Sequence, residues 1–567
     1  MDRKNDLYYL RKILALLKPY KFYFIAVLLC LAASSAIVFL QPLLISELTD
    51  SGLLAMDFSV TVKLTSLILL LVASGELVSL LQSYIFVHIH NSFYFSLISH
   101  GFKKLMSLKV SYFTDKSSAE IIDNMRVDVS NVALITDRVS GLTVGYLFQV
   151  VSGLIGLFVI SWKLTLVVIF IVPVKYMIVS LLSKRTRKWT EERLEKLGSF
   201  TTWFSENVSG IKEIKLWGLY QKQWKEFQER QQKLLGIYKK ETVLESVNNS
   251  IEVVLSWCVT GLLYILGGIQ IIEGHLSLGG VFAFISYSGY VTGPIMMLLN
   301  LRMFFSKIIP SAERLFGIFE MEEETNQGKL SMESSMMEIQ IEYCHVSYRY
   351  DNRRCILNDA GIKITQGEKI AIVGENGSGK TTFLNLLLRF LEPQEGKIMI
   401  NGTNINEMEL DAYRSLFAVV DQVPYLFSSS VRENIDLDFR TSDETFFQAC
   451  EKSGANKFIS RLPEREQSVI GQNGSKLSGG ERKKIAVARA IVKDAPVIIM
   501  DEATAGYDGE SDAHLHDFLI NQTEGKTLIV ITHNYEQLEG MDHVYCLEHG
   551  KLKEVDKEFW ENYQIDV

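Results

Sequence analysis

The strongest constraint on this chain is a set of long apolar segments within its first 305 residues. A membrane-spanning helix needs about 20 largely apolar residues, because lipid offers the backbone no hydrogen-bond partners. Six segments reach or nearly reach that length, at about 22–46, 62–88, 141–160, 163–183, 248–272 and 280–305. Small polar residues and single charges interrupt them, as is typical of helices that face a shared interior path. The sequence therefore predicts an α-helical membrane domain with six transmembrane helices and long cytoplasmic extensions.

The distribution of Lys and Arg orients these helices, because positive residues favour the cytoplasmic side. Lys and Arg are frequent before the first segment, between the second and third, and between the fourth and fifth. The short turns on the other side contain Lys163 as their only Lys or Arg. We therefore expect both termini to be cytoplasmic, in a multi-pass protein of a bacterial inner (plasma) membrane. Apolar residues recur at helical spacing in the cytoplasmic stretch Trp203–Trp217. This spacing fits either an amphipathic helix lying on the membrane or, as we favour, membrane helices that extend into the cytoplasm.

The chain changes character after a polar linker. Alternating apolar residues at Ile339–Tyr350 and apolar runs at Val497–Met500 and Thr527–Ile531 predict strands that alternate with helices, hence a largely parallel sheet. We divide the chain into a transmembrane domain at 1–319, a linker at 320–337 and an α/β domain at 338–567. The net charge of −8 argues against a nucleic-acid partner. The six cysteines lie far apart, which argues against a zinc site or a disulfide framework.

A phosphate-binding loop follows the first apolar strand of the second half. The sequence G-x-x-x-x-G-K-[ST] is met between the strand Ile370–Val373 and a predicted helix. The motif and the threonine that follows it comprise Gly374, Glu375, Asn376, Gly377, Ser378, Gly379, Lys380, Thr381 and Thr382. Glycines let several backbone N–H groups point at phosphate oxygens, and the helix N-terminus adds its positive end. Lys380 is predicted to contact the β- and γ-phosphates, and the Thr381 hydroxyl to bind Mg²⁺.

Two adjacent carboxylates end the strand that begins at Val497. Successive strand residues point to opposite faces, so Asp501 can reach Mg²⁺ while Glu502 faces the attacking water. Phosphoryl transfer depends mainly on positioning and charge neutralisation, which such a pair would supply. The sequence therefore predicts an ATP site with Mg²⁺ as cofactor and Glu502 as a catalytic residue.

The residues Leu477, Ser478, Gly479, Gly480 and Glu481 stand just upstream of that strand. Together with the phosphate loop and the Asp-Glu strand end, they resemble the signature of ABC transporter ATPases. The six-span layout resembles the exporter-type half-transporters of multidrug, lipid and peptide cargo, and the resemblance covers essentially the whole chain. It implies a membrane domain followed by an α/β P-loop ABC ATPase domain, with ATP hydrolysis coupled to transmembrane transport.

Further positions match the family pattern. Tyr350 matches the aromatic residue that stacks on adenine, whereas Tyr348 fits a role in the strand core. Gln422 matches the glutamine that senses Mg²⁺ and contacts the membrane domain, with a catalytic role. Asp508 falls at the aspartate after the catalytic glutamate, and His533 matches the histidine that contacts the γ-phosphate, also with a catalytic role.

The resemblance also implies a dimer. In the family, the signature loop of one chain closes over the γ-phosphate held by the other, so each site would combine the phosphate loop, the Asp-Glu pair and the histidine of one chain with Leu477–Glu481 of its partner. A second half-transporter is therefore the expected partner, in a homodimer or a heterodimer. The segments near Ser111–Arg126 and Val208–Trp217 resemble the coupling helices that dock onto the nucleotide-binding domains.

Three positions depart from the family pattern. Ala505–Asp508 replaces the common Ser-Ala-Leu-Asp, Gln472 stands where exporters usually carry glutamate, and Asn534 replaces an arginine. None of these changes removes a catalytic group. They concern communication between the subunits.

Polar residues inside the spans are candidates for cargo recognition. Glu76 and Lys175 lie at similar predicted depth, and could pair with each other or read a charged group of the cargo. The sixth span adds aromatic, Met and amide side chains that fit either a cavity wall or helix packing, among them Tyr287, Tyr290, Met297 and Asn300.

Three functions fit these features. The first is ATP-driven export of an amphipathic or hydrophobic cargo (a peptide, lipid or drug) through the bilayer by alternating access of the dimer. The second is a lipid flippase, whose cargo stays within the bilayer. The third is a non-transporting ABC ATPase module, which the six apolar segments disfavour.

Overall fold

The computed structural model describes residues 3–113, 118–324, 339–350, 354–501, 520, 525–532 and 538–556. The chain divides into two compact units. The first comprises Met1–Met106 and Ser118–Met321, and the second comprises Ser107–Ser117 and Glu322–Val567. The short segment 107–117, which lies within the predicted transmembrane domain in sequence, therefore belongs to the second unit.

The first unit is helical. Its helices are α1 (Arg3–Leu16), α2 (Lys21–Glu47), α3 (Phe58–Ser107), α4 (Ser118–Ala133), α5 (Arg138–Ile160), α6 (Trp162–Ser209), α7 (Ile211–Leu216), α8 (Tyr220–Ile272), α9 (Leu278–Thr292) and α10 (Ile295–Phe319). A helix stands at each of the six predicted spans. By length and composition, four helical stretches among the described residues could cross a membrane: Lys18–Leu54, Phe58–Ser107, Thr143–Ile160 and Tyr220–Ile272.

The sixth predicted span is interrupted, which the sequence analysis did not foresee. Helix α9 ends at Thr292 and α10 begins at Ile295, with Gly293 and Pro294 between them. Proline has no backbone N–H and its ring clashes with the preceding turn, so an α-helix breaks or bends there. Residues 280–305 therefore form two helical pieces.

Three helices of the first unit continue far beyond the length of a membrane span. Helices α3, α6 and α8 contain 50, 48 and 53 residues. At about 1.5 Å per residue each is more than twice as long as the hydrocarbon core, which is about 30 Å thick. Residues 203–209 of the apolar stretch belong to the long helix α6, and the separate short helix α7 follows it. Helix α7 ends at Leu216, and Leu216 and Trp217 are both well exposed.

Close packing of α2, α5 and α9 forms a core in the first unit around Tyr287. This side chain is fully buried, and its hydroxyl donates a hydrogen bond to the Phe39 carbonyl oxygen of α2. Gly156 of α5 permits the contact, because a Cβ atom there would lie 2.5 Å from the Tyr287 ring. Tyr287 therefore acts in helix packing in this structure.

The second unit contains two sheets, and its strands are β1 (Ile341–Tyr350), β2 (Arg354–Ile364), β3 (Lys369–Val373), β4 (Glu395–Ile400), β5 (Thr403–Asn404), β6 (Phe417–Val420), β7 (Val497–Asp501), β8 (Thr527–Ile531), β9 (His543–Glu548) and β10 (Lys551–Glu554). The larger sheet has the order β10-β9-β3-β8-β7-β6 and is parallel except for β10. The smaller sheet, β2-β1-β4-β5, is antiparallel. The prediction of a largely parallel sheet is confirmed.

The helices of the second unit are α11 (Lys380–Leu387), α12 (Leu410–Ser415), α13 (Val431–Ile435), α14 (Asp443–Lys452), α15 (Asn456–Ile459) and α16 (Gly479–Lys493). Helix α11 follows β3, and α16 precedes β7, as the motif spacing predicted. Apolar faces of both sheets and of α11 share one core. Of the predicted linker, residues 325–337 lie outside the described part of the chain.

Candidate nucleotide site

The loop between β3 and α11 has the backbone of a phosphate cradle. Gly374, Gly377 and Gly379 have φ angles of 150°, 81° and 111°, which side chains other than glycine rarely adopt. A Cβ atom on Gly374 would lie 2.6 Å from the Leu547 carbonyl oxygen, and one on Gly379 would lie 2.7 Å from Ile356. Both the backbone conformation and the lack of space for a side chain therefore require glycine at positions 374 and 379.

Two polar side chains of the loop are placed for an anionic ligand. Lys380 Nζ lies 2.7 Å from the Gly374 carbonyl oxygen and 3.1 Å from that of Glu375, which holds the ammonium over the loop. Ser378 Oγ is buried and has no hydrogen-bond partner among the described residues. Burying a hydroxyl without a hydrogen-bond partner is costly, so the unpartnered Ser378 hydroxyl favours a ligand at this loop. The N-terminus of α11 adds backbone N–H groups.

Asp501 lies at the same edge of the sheet as the phosphate loop. It pairs with Ile531 of β8, and Ile531 pairs with Ile372 of β3, so a single strand separates the two motifs. Neighbouring strands are about 4.8 Å apart, which puts the two strand ends about 10 Å apart. Gln422 follows β6, the next strand beyond β7. The parallel sheet thus brings Asp501, Gln422 and the start of α11, which contains Thr381, to one edge.

The signature residues begin helix α16. Ser478 is the N-cap: its side chain accepts a hydrogen bond from the Glu481 N–H, and the Glu481 carboxylate accepts one from the Ser478 N–H at 2.8 Å. This reciprocal capping box fixes the first turn of the helix. Gly479 is exposed and Gly480 half-buried, so no bulky side chain stands at this helix start, whereas Leu477 is buried and anchors the loop.

A buried network connects the segment after Gln422 to the signature helix, and sequence reasoning missed it. Asn434 is fully buried, and its side chain binds the backbone of Phe427 and Ser430. Arg489 of α16 donates to the Asn434 carbonyl oxygen at 2.8 Å and to that of Tyr425 at 3.2 Å. An isolated Asn in the sequence gives no signal for such a role.

Burial separates the two candidate adenine-stacking tyrosines. Tyr350 is exposed at the end of β1, whereas Tyr348 is partly buried and packs against the core. The expected place of Tyr348 against the strand core is confirmed, and the exposed Tyr350 ring lies edge-on to the Tyr348 ring, with 5.0 Å between centroids. The predicted residues Glu502, Asp508 and His533 lie outside the described residues.

Glu76 and Lys175, two of the candidate cargo residues, have different surroundings. Glu76 is exposed on α3. Lys175 is buried and its ammonium lies 3.5 Å from the carboxylate of Glu252 on α8 and 2.9 Å from Ser256 Oγ. Pairing of Lys175 with Glu76 was therefore wrong, because the packing of α6 against α8 supplies a different carboxylate. Tyr290 is half-buried, and the side chains of Met297 and Asn300 lie outside the described part.

Long membrane helices followed by a sheet domain with a phosphate loop and a signature helix define a membrane protein driven by a P-loop ATPase. Residues 24–295 match the family described as ABC transporter transmembrane region, and residues 357–505 match the family described as ABC transporter. The chain therefore belongs to the ABC transporters, as an ATPase coupled to transmembrane transport.

Several known proteins match this chain over nearly its whole length. An uncharacterized ABC transporter ATP-binding protein of Bacillus subtilis, YfiC, is 29% identical over 96% of this chain and 90% of its own length. The ATP-dependent lipid A-core flippase of Cupriavidus metallidurans is 29% identical over 96% of this chain and 92% of its own. That of Idiomarina loihiensis is 28% identical, over 96% and 94%. A bacterial Atm1-family ABC exporter with ATP bound shares the fold, with a TM-score of 0.78, 20% identity, and 96% and 97% coverage.

Proposed function

We propose that this chain is one half of an ATP-driven exporter, and that its cargo is an amphipathic lipid moved out of the cytoplasmic leaflet. The observation that carries the cargo class is that relatives matched over 96% of the chain are named lipid A-core flippases. Peptide and hydrophobic-drug cargo remain outcomes of the test below. The two termini lie on the cytoplasmic side of a bacterial inner membrane in this proposal, consistent with the Lys and Arg distribution.

The ATP site is completed by a second chain. The phosphate loop with Lys380 would bind the phosphates, and Tyr350 would stack on the adenine. Ser478, Gly479 and Gly480 of the partner subunit would close over the γ-phosphate with the N–H groups at the start of α16. Both halves of the site are present in this chain, so a homodimer with two equivalent sites is the simplest assembly.

The residues at the sheet edge fit a magnesium ion. Hydroxyl, carboxylate and amide oxygens are ligands that Mg²⁺ accepts, and Thr381, Asp501 and Gln422 offer one of each. When bound, Mg²⁺ would neutralise charge on the β- and γ-phosphates. Glu502 would polarise the attacking water, and His533 would contact the γ-phosphate. Binding of ATP would favour the closed state of the dimer and hydrolysis would release it, because a ligand shifts an equilibrium toward the state it binds more tightly.

The test is the ATPase activity of the purified protein in lipid nanodiscs, with Glu502→Gln as the control. Lipid, peptide and drug fractions are added in turn. We expect hydrolysis that requires Glu502 and is stimulated by a lipid fraction. Stimulation by a peptide or drug fraction alone would overturn the lipid assignment. A well-folded protein that binds ATP and does not hydrolyse it under any condition would overturn the homodimer.

A further inference from the structure

A short strand pairing links the two places where long helices of the first unit end in sequence. Leu108, directly after α3, forms an antiparallel bridge with Glu323, four residues after α10. The Glu324 N–H donates to the Ser107 carbonyl oxygen at 2.7 Å. We call Ser107, Leu108, Glu323 and Glu324, with Arg414, the linker clasp. All five residues belong to the second unit.

Arg414 of helix α12 holds Glu324 with a bidentate ion pair. Its two terminal nitrogens lie 2.9 and 2.5 Å from the two carboxylate oxygens. The side chains are only 25% and 19% exposed, so water screens the pair weakly. A fork-on-fork pair of this kind fixes orientation as well as distance, which a lysine could not do.

The same guanidinium reaches the end of the helix that begins at the phosphate loop. Arg414 Nε lies 3.2 Å from the Leu388 carbonyl oxygen, and one terminal nitrogen lies 3.2 Å from that of Arg389. The guanidinium also lies over the Phe390 ring, with its Cζ atom 4.6 Å from the ring centroid. Helix α11 runs from Lys380 to Leu387, so the cation sits at the C-terminal end of its dipole, where positive charge is stabilising.

The backbone of Arg414 is tied to the signature helix. Lys493, the last residue of α16, donates to the Arg414 carbonyl oxygen at 3.1 Å and to that of Phe417 at 2.6 Å. Phe417 begins β6, which leads to Gln422. One residue thus contacts the far ends of both helices whose near ends carry the nucleotide motifs.

We propose that Arg414 is a positioning residue that couples the nucleotide state to the membrane helices, and that Glu324 is the group through which it acts. A shift of α11 on nucleotide binding would pull on Arg414, and the clasp would pass the shift to the chain ends of α3 and α10. Arg414 retains its contacts with Leu388 and Arg389 when Glu324 is changed, so Glu324→Gln cuts the coupling and spares the helix end. The proposal requires ATP binding and no particular cargo.

Hydrogen exchange measured by mass spectrometry tests this on the full-length protein in nanodiscs, with and without Mg-ATP and vanadate. Three variants are compared with the wild type: Glu324→Gln, Arg414→Lys and the control Glu322→Gln. Glu322 is the matched control because it lies two residues away, is 88% exposed at its side chain and meets Lys109 only at 3.4 Å. Basal ATP hydrolysis is measured on the same samples.

In the wild type and in Glu322→Gln, nucleotide should change exchange both in the phosphate-loop region and near residues 100–113 and 310–324. In Glu324→Gln we expect the second response to fall at least about fivefold, the low end of coupling between sites, while basal hydrolysis stays within about twofold. Arg414→Lys should lose the second response and also raise the KM for ATP. The proposal is overturned if the wild type shows no response near 100–113 and 310–324, if Glu324→Gln responds like the wild type, or if both of its responses fall together. None of these outcomes depends on the cargo, so they are distinct from failure of the lipid assignment.

Discussion

The buried ion pair between Lys175 and Glu252 gives a quantitative prediction for the first unit. Lys175 is 3% exposed and Glu252 is 22% exposed at its side chain. The Lys175 ammonium also donates to Ser256 Oγ at 2.9 Å and to the Thr292 carbonyl oxygen at 3.4 Å, beside the break between α9 and α10. Removing one partner of a buried ion pair costs about 3–5 kcal/mol, because the other charge remains buried.

The two single substitutions should therefore differ. Glu252→Gln leaves the more deeply buried charge without a counterion and should cost about 3 kcal/mol, while Lys175→Met leaves the less deeply buried carboxylate and should cost about 2 kcal/mol. The double variant removes both charges and should cost about 1 kcal/mol, well below the sum of the single effects. The difference is the coupling energy of the pair.

Thermal unfolding of purified protein measures these effects. One kcal/mol shifts the midpoint by about 2–4 °C in domains of 150–250 residues, so Glu252→Gln should lower it by about 6–12 °C. Glu76→Gln is the matched control, since this exposed carboxylate on α3 is not the one that pairs with Lys175 and should change stability less than either single variant. The reasoning is refuted if Glu76→Gln is as damaging as Lys175→Met, or if the double variant is no more stable than the worse single variant.

Two further predictions concern packing and pH. Gly156→Ala should destabilise the protein by about 1–3 kcal/mol because its Cβ atom would meet the Tyr287 ring, whereas Gly261→Ala, with open space at its Cβ, should not; equal midpoints would contradict the packing assignment. In the second unit, the His543 ring donates a 2.6 Å hydrogen bond from Nδ1 to the Glu554 carboxylate, which raises the pKa of His543 from its usual value. A raised folded-state pKa contributes stability below the unfolded value, and that contribution is lost as pH rises through the folded value. The midpoint difference between wild type and Glu554→Gln should therefore be larger at about pH 6 than at about pH 9, and a difference that grows with pH would contradict this sign.

Local motifs made the backbone elements around the candidate nucleotide site predictable from the sequence. The phosphate loop, the strand before Asp501 and the helix that Ser478 caps each depend on residues within about ten positions of one another. The parallel order of the strands then brings Asp501 and Gln422 to one edge, because parallel strands share their carboxyl end.

Contacts between distant helices were not predictable in the same way. Counting residues predicts a depth for Lys175 but not the rotation of α6 about its axis, so it suggested Glu76 where packing supplies Glu252. The partners Glu324 and Arg414 are separated by 90 positions, and neither stands in a motif. Such pairs are set by tertiary packing, which composition and periodicity do not specify.

The most direct test of the account is ATP-dependent movement of a labelled lipid between leaflets. The protein is reconstituted in proteoliposomes that contain a fluorescent phospholipid, and a membrane-impermeant quencher reports the leaflet that holds the label. The account predicts that Mg-ATP moves lipid out of the leaflet that faces the ATPase domains, and that Glu502→Gln abolishes this movement while it still binds ATP. Equal rates with and without ATP, in a wild-type protein that hydrolyses ATP, would contradict it.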